Sequence, residues 1–296
     1  MGTIIADLKT RFNEGSLLHK LIYINVGMFL AIRLLVVAFT LFKLDAQGIL
    51  QLLQLPSSPM SLLYQPWSIL TYMILHYEFT HILFNMLWMY WFGNIFLSYF
   101  NERQMGGLYL LGGLGGALLY ILAYNLFPYF NEVVYHSYLM GASASILAIV
   151  VAVAFYAPNV EVNLLIIGRV KIKYIALFTI FLDLLSVTSD NAGGNIAHLG
   201  GALVGYLFAE RYRKGKDITR FFNRIIDKVV NWFKPSPKLK VTYRRTETDY
   251  DYNKRKHSEE SELNEILERL KRSGYASLSS EEKKKLFEAG NKNTDQ

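Results

Sequence analysis

Residues 21 to about 211 carry six long runs of mostly apolar side chains, over about 21–43, 79–100, 104–127, 138–157, 174–189 and 195–211. Few folds accept so much apolar surface in one stretch. A helix crosses a bilayer core of about 30 Å with roughly 20 mostly apolar residues, and in lipid every backbone polar group must find its partner inside the segment. The runs therefore predict an all-α, polytopic membrane protein: a bundle of six transmembrane helices followed by a small cytoplasmic helical tail.

The basic residues orient such a bundle. Lys9, Arg11 and Lys20 precede the first run, Arg103 lies in the turn after the second, Arg169, Lys171 and Lys173 in the loop after the fourth, and Arg211, Arg213, Lys214 and Lys216 follow the sixth. With six spans these segments fall on one side, and the opposite loops, 44–78, 128–137 and 190–194, contain no Lys or Arg. The positive-inside rule then makes both termini cytoplasmic. The same clustering accounts for the net charge of +7 without nucleic acid as a partner; the bilayer is the partner that these charges face. Residues 1–20 have no apolar core and no small-residue cleavage site closes the first run, so this run is expected to stay as a membrane helix rather than to be a signal peptide.

The chain thus divides into a cytoplasmic segment 1–20, a membrane domain 21–211, a basic amphipathic helix 212–235 expected in the interface, a charged linker 236–260 and a helical hairpin 261–296. Phe221, Phe222, Ile225, Ile226, Val229, Val230 and Phe233 form the apolar stripe of the amphipathic helix, which Pro235 and Pro237 end. In the hairpin, Leu263, Ile266, Leu267 and Leu270 make a short stripe stopped near Gly274, and Ser279 with Glu282 forms a capping box for a second helix through about Ala289. The tail's partner is not identified by its residues. Loop 44–78, with Leu52, Leu53, Leu62, Leu63, Trp67 and Ile69, is apolar enough to lie in the interface. Gly112 and Gly116 form a G-x-x-x-G pair, read as close helix packing. There is no cysteine, hence no disulfide and no thiolate chemistry. The six histidines are too scattered to form a metal ligand set, and no cofactor is indicated.

Polar groups inside a membrane are costly and need a reason. Four stand out: His81, Asn85, Ser143 and His198. His81 and Asn85 are four apart in the first two turns of the second run and share a helix face. Ser143 is expected about five residues, or about 8 Å, into the fourth span, and His198 in the first turn of the sixth. All four would lie at similar depth near the outer surface. A serine becomes a nucleophile beside a base, most often histidine, and Asn and His side chains can donate to a developing oxyanion.

The motifs that carry these residues are Gly141-Ala142-Ser143-Ala144, the A-H-x-x-G-x-x-x-G pattern from Ala197 to Gly205, and the H-x-x-x-N pair His81–Asn85. In this order, on alternate spans, they resemble the rhomboid family of intramembrane serine proteases over about 190 residues, a six-helix form of the bacterial type. The resemblance implies a six-helix rhomboid-like bundle in a bacterial inner membrane. It implies a Ser–His dyad with Ser143 as nucleophile and His198 as general base, and an oxyanion site made by His81, Asn85 and the Ser143 backbone N–H. It further implies that Gly201 and Gly205 let the sixth helix approach the fourth, that Gly141 supports the nucleophile's turn, and that His76 is a structural or water-holding position. Transmembrane protein segments would be the substrates, cleaved near the outer face. Three positions depart from the family pattern: Ala144 stands where Gly is usual, Ser68 follows Trp67 where Arg is common, and Leu147 stands where some members place an aromatic against the histidine.

Other readings compete. Ser145 is a rival nucleophile, but it lies about 200° round the helix from Ser143. The polar groups could be interhelical hydrogen-bond glue in a non-proteolytic relative that binds or sorts membrane clients, or could line a transporter, against which stand the one-sided cluster and the lack of an inverted repeat. Arg33 and Asp183 remain. Counted from the cytoplasmic ends they lie about 18 and 14 Å deep, which permits a pair; separate polar partners or snorkelling are the expected outcome, since the first and fifth spans are not obvious neighbours.

Overall fold

The structure is a computed structural model that describes Phe12 and residues 15–164, 168–233 and 248–292. The calls on residues 1–11, on Pro235 and Pro237 and on linker residues 236–247 lie outside the described residues. The chain falls into two compact units, Met1–Lys234 and Pro235–Gln296.

The first unit opens with α1 (Leu17–Leu41). The connection that follows folds into α2 (Ala46–Leu53), strand β1 (Leu55–Pro56), α3 (Pro59–Tyr64), α4 (Ser68–Thr71) and a 3-10 turn over Tyr72–Ile74. Asp45 and Ser58 cap α2 and α3 with their side chains, satisfying N–H groups that a helix start leaves without partners. Next come α5 (Phe79–Leu97), α6 (Glu102–Leu126), strand β2 (Tyr138–Leu139) and α7 (Ser143–Tyr156). A short hairpin of β3 (Glu161–Leu164) and β4 (Gly168–Lys171) leads into α8 (Ile172–Leu185), α9 (Ala192–Arg213) and α10 (Thr219–Phe233).

Among the described residues, α1 and α6 are the helices long and apolar enough to cross a membrane, and α7 is a shorter apolar helix. At 1.5 Å per residue the 14-residue helices α7 and α8 reach only about 21 Å. The run 138–157 is not helical throughout. Residues 138–139 pair with Leu55 and Pro56 in an antiparallel ladder, so the helix begins at Ser143 itself rather than five residues earlier. Loop 44–78 is half interface-like and half core. Leu52, Met60, Leu63, Tyr64 and Trp67 are exposed, whereas Leu55, Tyr72, Met73 and Leu75 are fully buried.

The core is built around α7, whose residues from Ala144 to Ala154 are all buried. It contacts α5, α6, α8 and α9. Missing side chains make this approach possible. A methyl built on Gly201 would lie 2.1 Å from the Ala144 carbonyl oxygen, and one on Gly205 2.3 Å from that of Ala148; on the other flank, one on Gly112 would meet Ala148 at 2.5 Å and one on Gly116 would meet Ala144 at 2.7 Å. Small residues let backbones approach where apolarity alone drives no association.

The polar face of α10, with Asp217 just before it, docks on the start of α6. Gln104 donates to Asp217 at 3.0 Å, Asn223 to the Arg103 carbonyl at 3.0 Å, and Arg103 pairs with Asp227 at 3.3 Å. Phe221 and Ile225 of its apolar stripe are exposed.

In the second unit, α11 (Asp249–Ser273) is capped by Thr248 and ends at Gly274, whose φ of 77° suits a residue without Cβ. Residues 249–260, expected as linker, are helical. They lack an apolar stripe, but the helix has Asp249 and Asp251 in its first turn and Lys271 and Arg272 in its last, matched to the helix dipole. The capping box forms at the start of α12 (Ser280–Lys292): Ser279 N–H donates to Glu282 at 2.8 Å and Glu282 N–H to Ser279 Oγ at 3.3 Å. Arg269–Glu282 and Lys285–Glu262 tie the two helices at 2.8 and 2.5 Å.

Candidate active site

Three segments fix the position of Ser143. The β1–β2 pairing anchors the chain at Leu139. Gly141 N–H then donates to the Tyr72 carbonyl at 2.8 Å, and Ala142 N–H to His76 Nε2 at 3.4 Å. Gly141 has φ +126°, and a Cβ there would lie 2.9 Å from the His81 ring and 3.8 Å from Ser143 Oγ. Glycine therefore serves both the backbone angle and the close approach of His81. Two residues on, Ser143 is the first residue of α7. Its backbone N–H belongs to the helix-start groups that have no intrahelical acceptor, and the helix dipole favours negative charge at that end.

His81 and Asn85 come from the first two turns of α5. Asn85 donates one amide hydrogen to the His81 carbonyl at 2.9 Å, which leaves the second free for another acceptor. His76 packs edge-on against His81 with ring centroids 5.0 Å apart and is fully buried. Its contact to Ala142 N–H puts it in the wall behind Ser143.

Ser143, His198 and Asn85 line one cavity of about 190 Å³ with Phe84, Trp88, Ile146, Leu147 and Thr179. No hydrogen bond joins Ser143 Oγ to His198 among the described residues; such bonds tighten when substrate is bound. Ser145 Oγ is buried without a partner, and its Cα faces Gly112 of α6. The Ala144 methyl points at Gly116, so the extra carbon at this departure from the family pattern is housed between α7 and α6 rather than in the cavity.

One partner of His198 is absent from the motif reading. Its Nδ1 lies 2.8 Å from Asp183 Oδ1, and Asp183 is 6% exposed. Asp183 therefore does not pair with Arg33, whose guanidinium sits 4.7 Å from the centroid of the Tyr77 ring. Depth counted from the end expected to be cytoplasmic does not register this contact. From the other end Asp183 is two residues short of the close of α8, and His198 lies in the second turn of α9. The signal was available in the hairpin: residues 183 and 198 flank the turn symmetrically, as do 186 and 195.

The rhomboid domain family matches residues 64–214, half of the chain. The chain belongs to the rhomboid family, whose members are embedded in membranes. A separate match, a family of unknown function (DUF6576), covers residues 246–292. Among curated proteins, the chain is 29% identical over 150 residues to RHOMBOID-like protein 12, mitochondrial, of Arabidopsis thaliana, covering 48% of this chain and 45% of that protein. It is 27% identical over 150 residues to rhomboid protease AarA of Providencia stuartii, covering 47% and 53%. The chain spans about half the length of the curated relatives it matches.

Proposed function

We propose that the chain is an intramembrane serine endopeptidase that cleaves transmembrane segments of client proteins near the outer membrane face, with α1, α5, α6, α7, α8 and α9 as its six spans and both termini cytoplasmic. The observation that carries this reading is that Ser143, at the N-terminus of α7, shares a small, mostly apolar cavity with His198 and Asn85. The relative named as a protease, AarA, supports it.

A client helix must unwind locally, because an intact helix keeps its carbonyls in internal hydrogen bonds. Ser143 Oγ attacks the exposed carbonyl carbon while His198 Nε2 accepts the hydroxyl proton. The oxyanion that forms is held by the Ser143 N–H, the free amide hydrogen of Asn85 and His81. His198 then returns the proton to the leaving amine, and water releases the acyl group by the same steps. Phe84, Trp88, Ile146 and Leu147 narrow the cavity, which suits small side chains beside the scissile bond.

The test is cleavage of a single-span helix with small, helix-breaking residues by purified protein in liposomes. Wild type and Ser145→Ala are expected to cut, while Ser143→Ala and His198→Ala lose at least roughly 10³-fold in rate with the fold intact. Cleavage that survives Ser143→Ala would refute the assignment. A folded wild type that binds clients of several sequences without cutting any would instead support a sorting role.

A further inference from the structure

We propose that Asp183 is the positioning residue of His198, so that this chain works with a Ser143–His198–Asp183 triad rather than with a dyad. The inference rests on the protease reading above and adds a member to it.

The geometry is specific. Asp183 Oδ1 and His198 Nδ1 are 2.8 Å apart, with the two side chains 9% and 21% exposed. A carboxylate accepts hydrogen bonds only, so this contact puts a proton on Nδ1. The neutral imidazole then carries its lone pair on Nε2, the nitrogen left to take the proton of Ser143. When that proton arrives, the imidazolium lies against the Asp183 carboxylate, the arrangement that stabilises a histidine base in hydrolytic triads.

The contact is held by the fold. Asn195, one turn before His198 on α9, donates to the Ser186 carbonyl at 2.7 Å and to Ser189 Oγ at 3.1 Å. Ser186 follows Asp183 by three residues. The Asp183–His198 and Ser186–Asn195 contacts are thus two rungs of one antiparallel hairpin, and the second keeps the first in register.

Asp183 has no competing partner among the described residues. Its Oδ2 is buried and unpaired, and Arg33 is engaged at Tyr77. A half-satisfied carboxylate in a membrane bundle is a poor packing element. Its one hydrogen bond among the described residues goes to His198.

Two readouts on the full-length protein test this. The first is the His198 tautomer by ¹⁵N NMR, with His198→Ala to assign the signal. Wild type is expected to show a protonated Nδ1 and a bare Nε2. In Asp183→Asn the amide can donate to Nδ1 instead, and the Nε2–H form is expected to appear. The second is kinetics on the single-span helix. Asp183→Asn is expected to lose roughly 10²–10⁴-fold in kcat with KM unchanged, whereas a merely structural residue would lower the active fraction and leave the tautomer as it was. Wild-type kcat in Asp183→Asn, or an Nε2–H tautomer already present in wild type, overturns the proposal. A wild type that cuts nothing defeats the protease reading alone, because the tautomer measurement still decides whether Asp183 positions His198.

Discussion

Helices α7 and α8 have the same length and similar apolar content, yet they sit differently. Every residue of α7 from Ala144 to Ala154 is buried, whereas α8 buries Ile172, Ala176 and Asp183 alone. Those three lie at steps of four and seven residues, a single narrow stripe flanked by the half-buried Ile175, Thr179 and Ile180, and the opposite face of α8, with Leu177, Phe178, Phe181 and Leu184, is exposed. In the proposed enzyme the nucleophile stands on the most confined helix, and the carboxylate that orients its base on one of the least confined. Precision is needed most at the attacking oxygen, and a site on a rigid element holds it best. Helix α8 contributes by one buried stripe, which ends in Asp183 at His198, and by Thr179, which lines the cavity.

The contrast can be broken from either side. The largest effect is expected where α9 meets α7. Gly201→Ala places a methyl 2.1 Å from the Ala144 carbonyl oxygen, a backbone atom that cannot swing aside. Overpacking of this kind costs roughly 1–3 kcal/mol, read as a lower thermal midpoint in detergent together with reduced cleavage. An unchanged midpoint would mean that the helices are less closely packed than their glycines indicate. A smaller effect is expected on the exposed face of α8, where Leu184→Ala should alter stability by no more than about 0.5 kcal/mol in detergent. A loss as large as that of Gly201→Ala would show that α8 is held by more than its stripe.

The smallest effect lies in the tail and leaves both helices untouched. The Glu282 carboxyl is held below its ordinary value, first by the Ser279 backbone N–H, then by the Ser279 hydroxyl and, more weakly, by Arg269. A depressed folded value means that its stabilisation is present above the unfolded carboxylate range and is lost as pH falls through the folded value. Amide protection at the start of α12 should therefore fade as pH drops below about 4.5. In Glu282→Gln, which can still accept from Ser279 N–H, this fading should be absent. Equal pH sensitivity in both proteins would remove Glu282 as the cause.

Much of the site could be read from residue order. His81, Asn85, Ser143 and His198 are polar groups in apolar runs, which an alternation of spans would bring to one end, and Asn85, Ser143 and His198 line one cavity. The capping box of the tail is equally local, and it forms where Ser279 and Glu282 place it. What escaped depends on which segments are neighbours. The β1–β2 pairing joins residues far apart in the chain and removes the first five residues of the fourth run from its helix. Asp183 belongs with His198 because the α8–α9 turn is tight, which depth counted from the far end of the span does not register. Residues 249–260 mislead in a different way: charge without an apolar stripe reads as linker, although Glu, Lys and Arg are good helix formers.

The claim on which everything else depends is that Ser143 is the activated nucleophile. Reaction of the folded wild type with a fluorophosphonate, followed by mapping of the adduct by mass spectrometry, tests it without needing the natural client. The expected result is a single adduct on Ser143 that disappears in His198→Ala and is slowed in Asp183→Asn. An adduct on Ser145, or labelling of Ser143 that is indifferent to His198, would contradict the account.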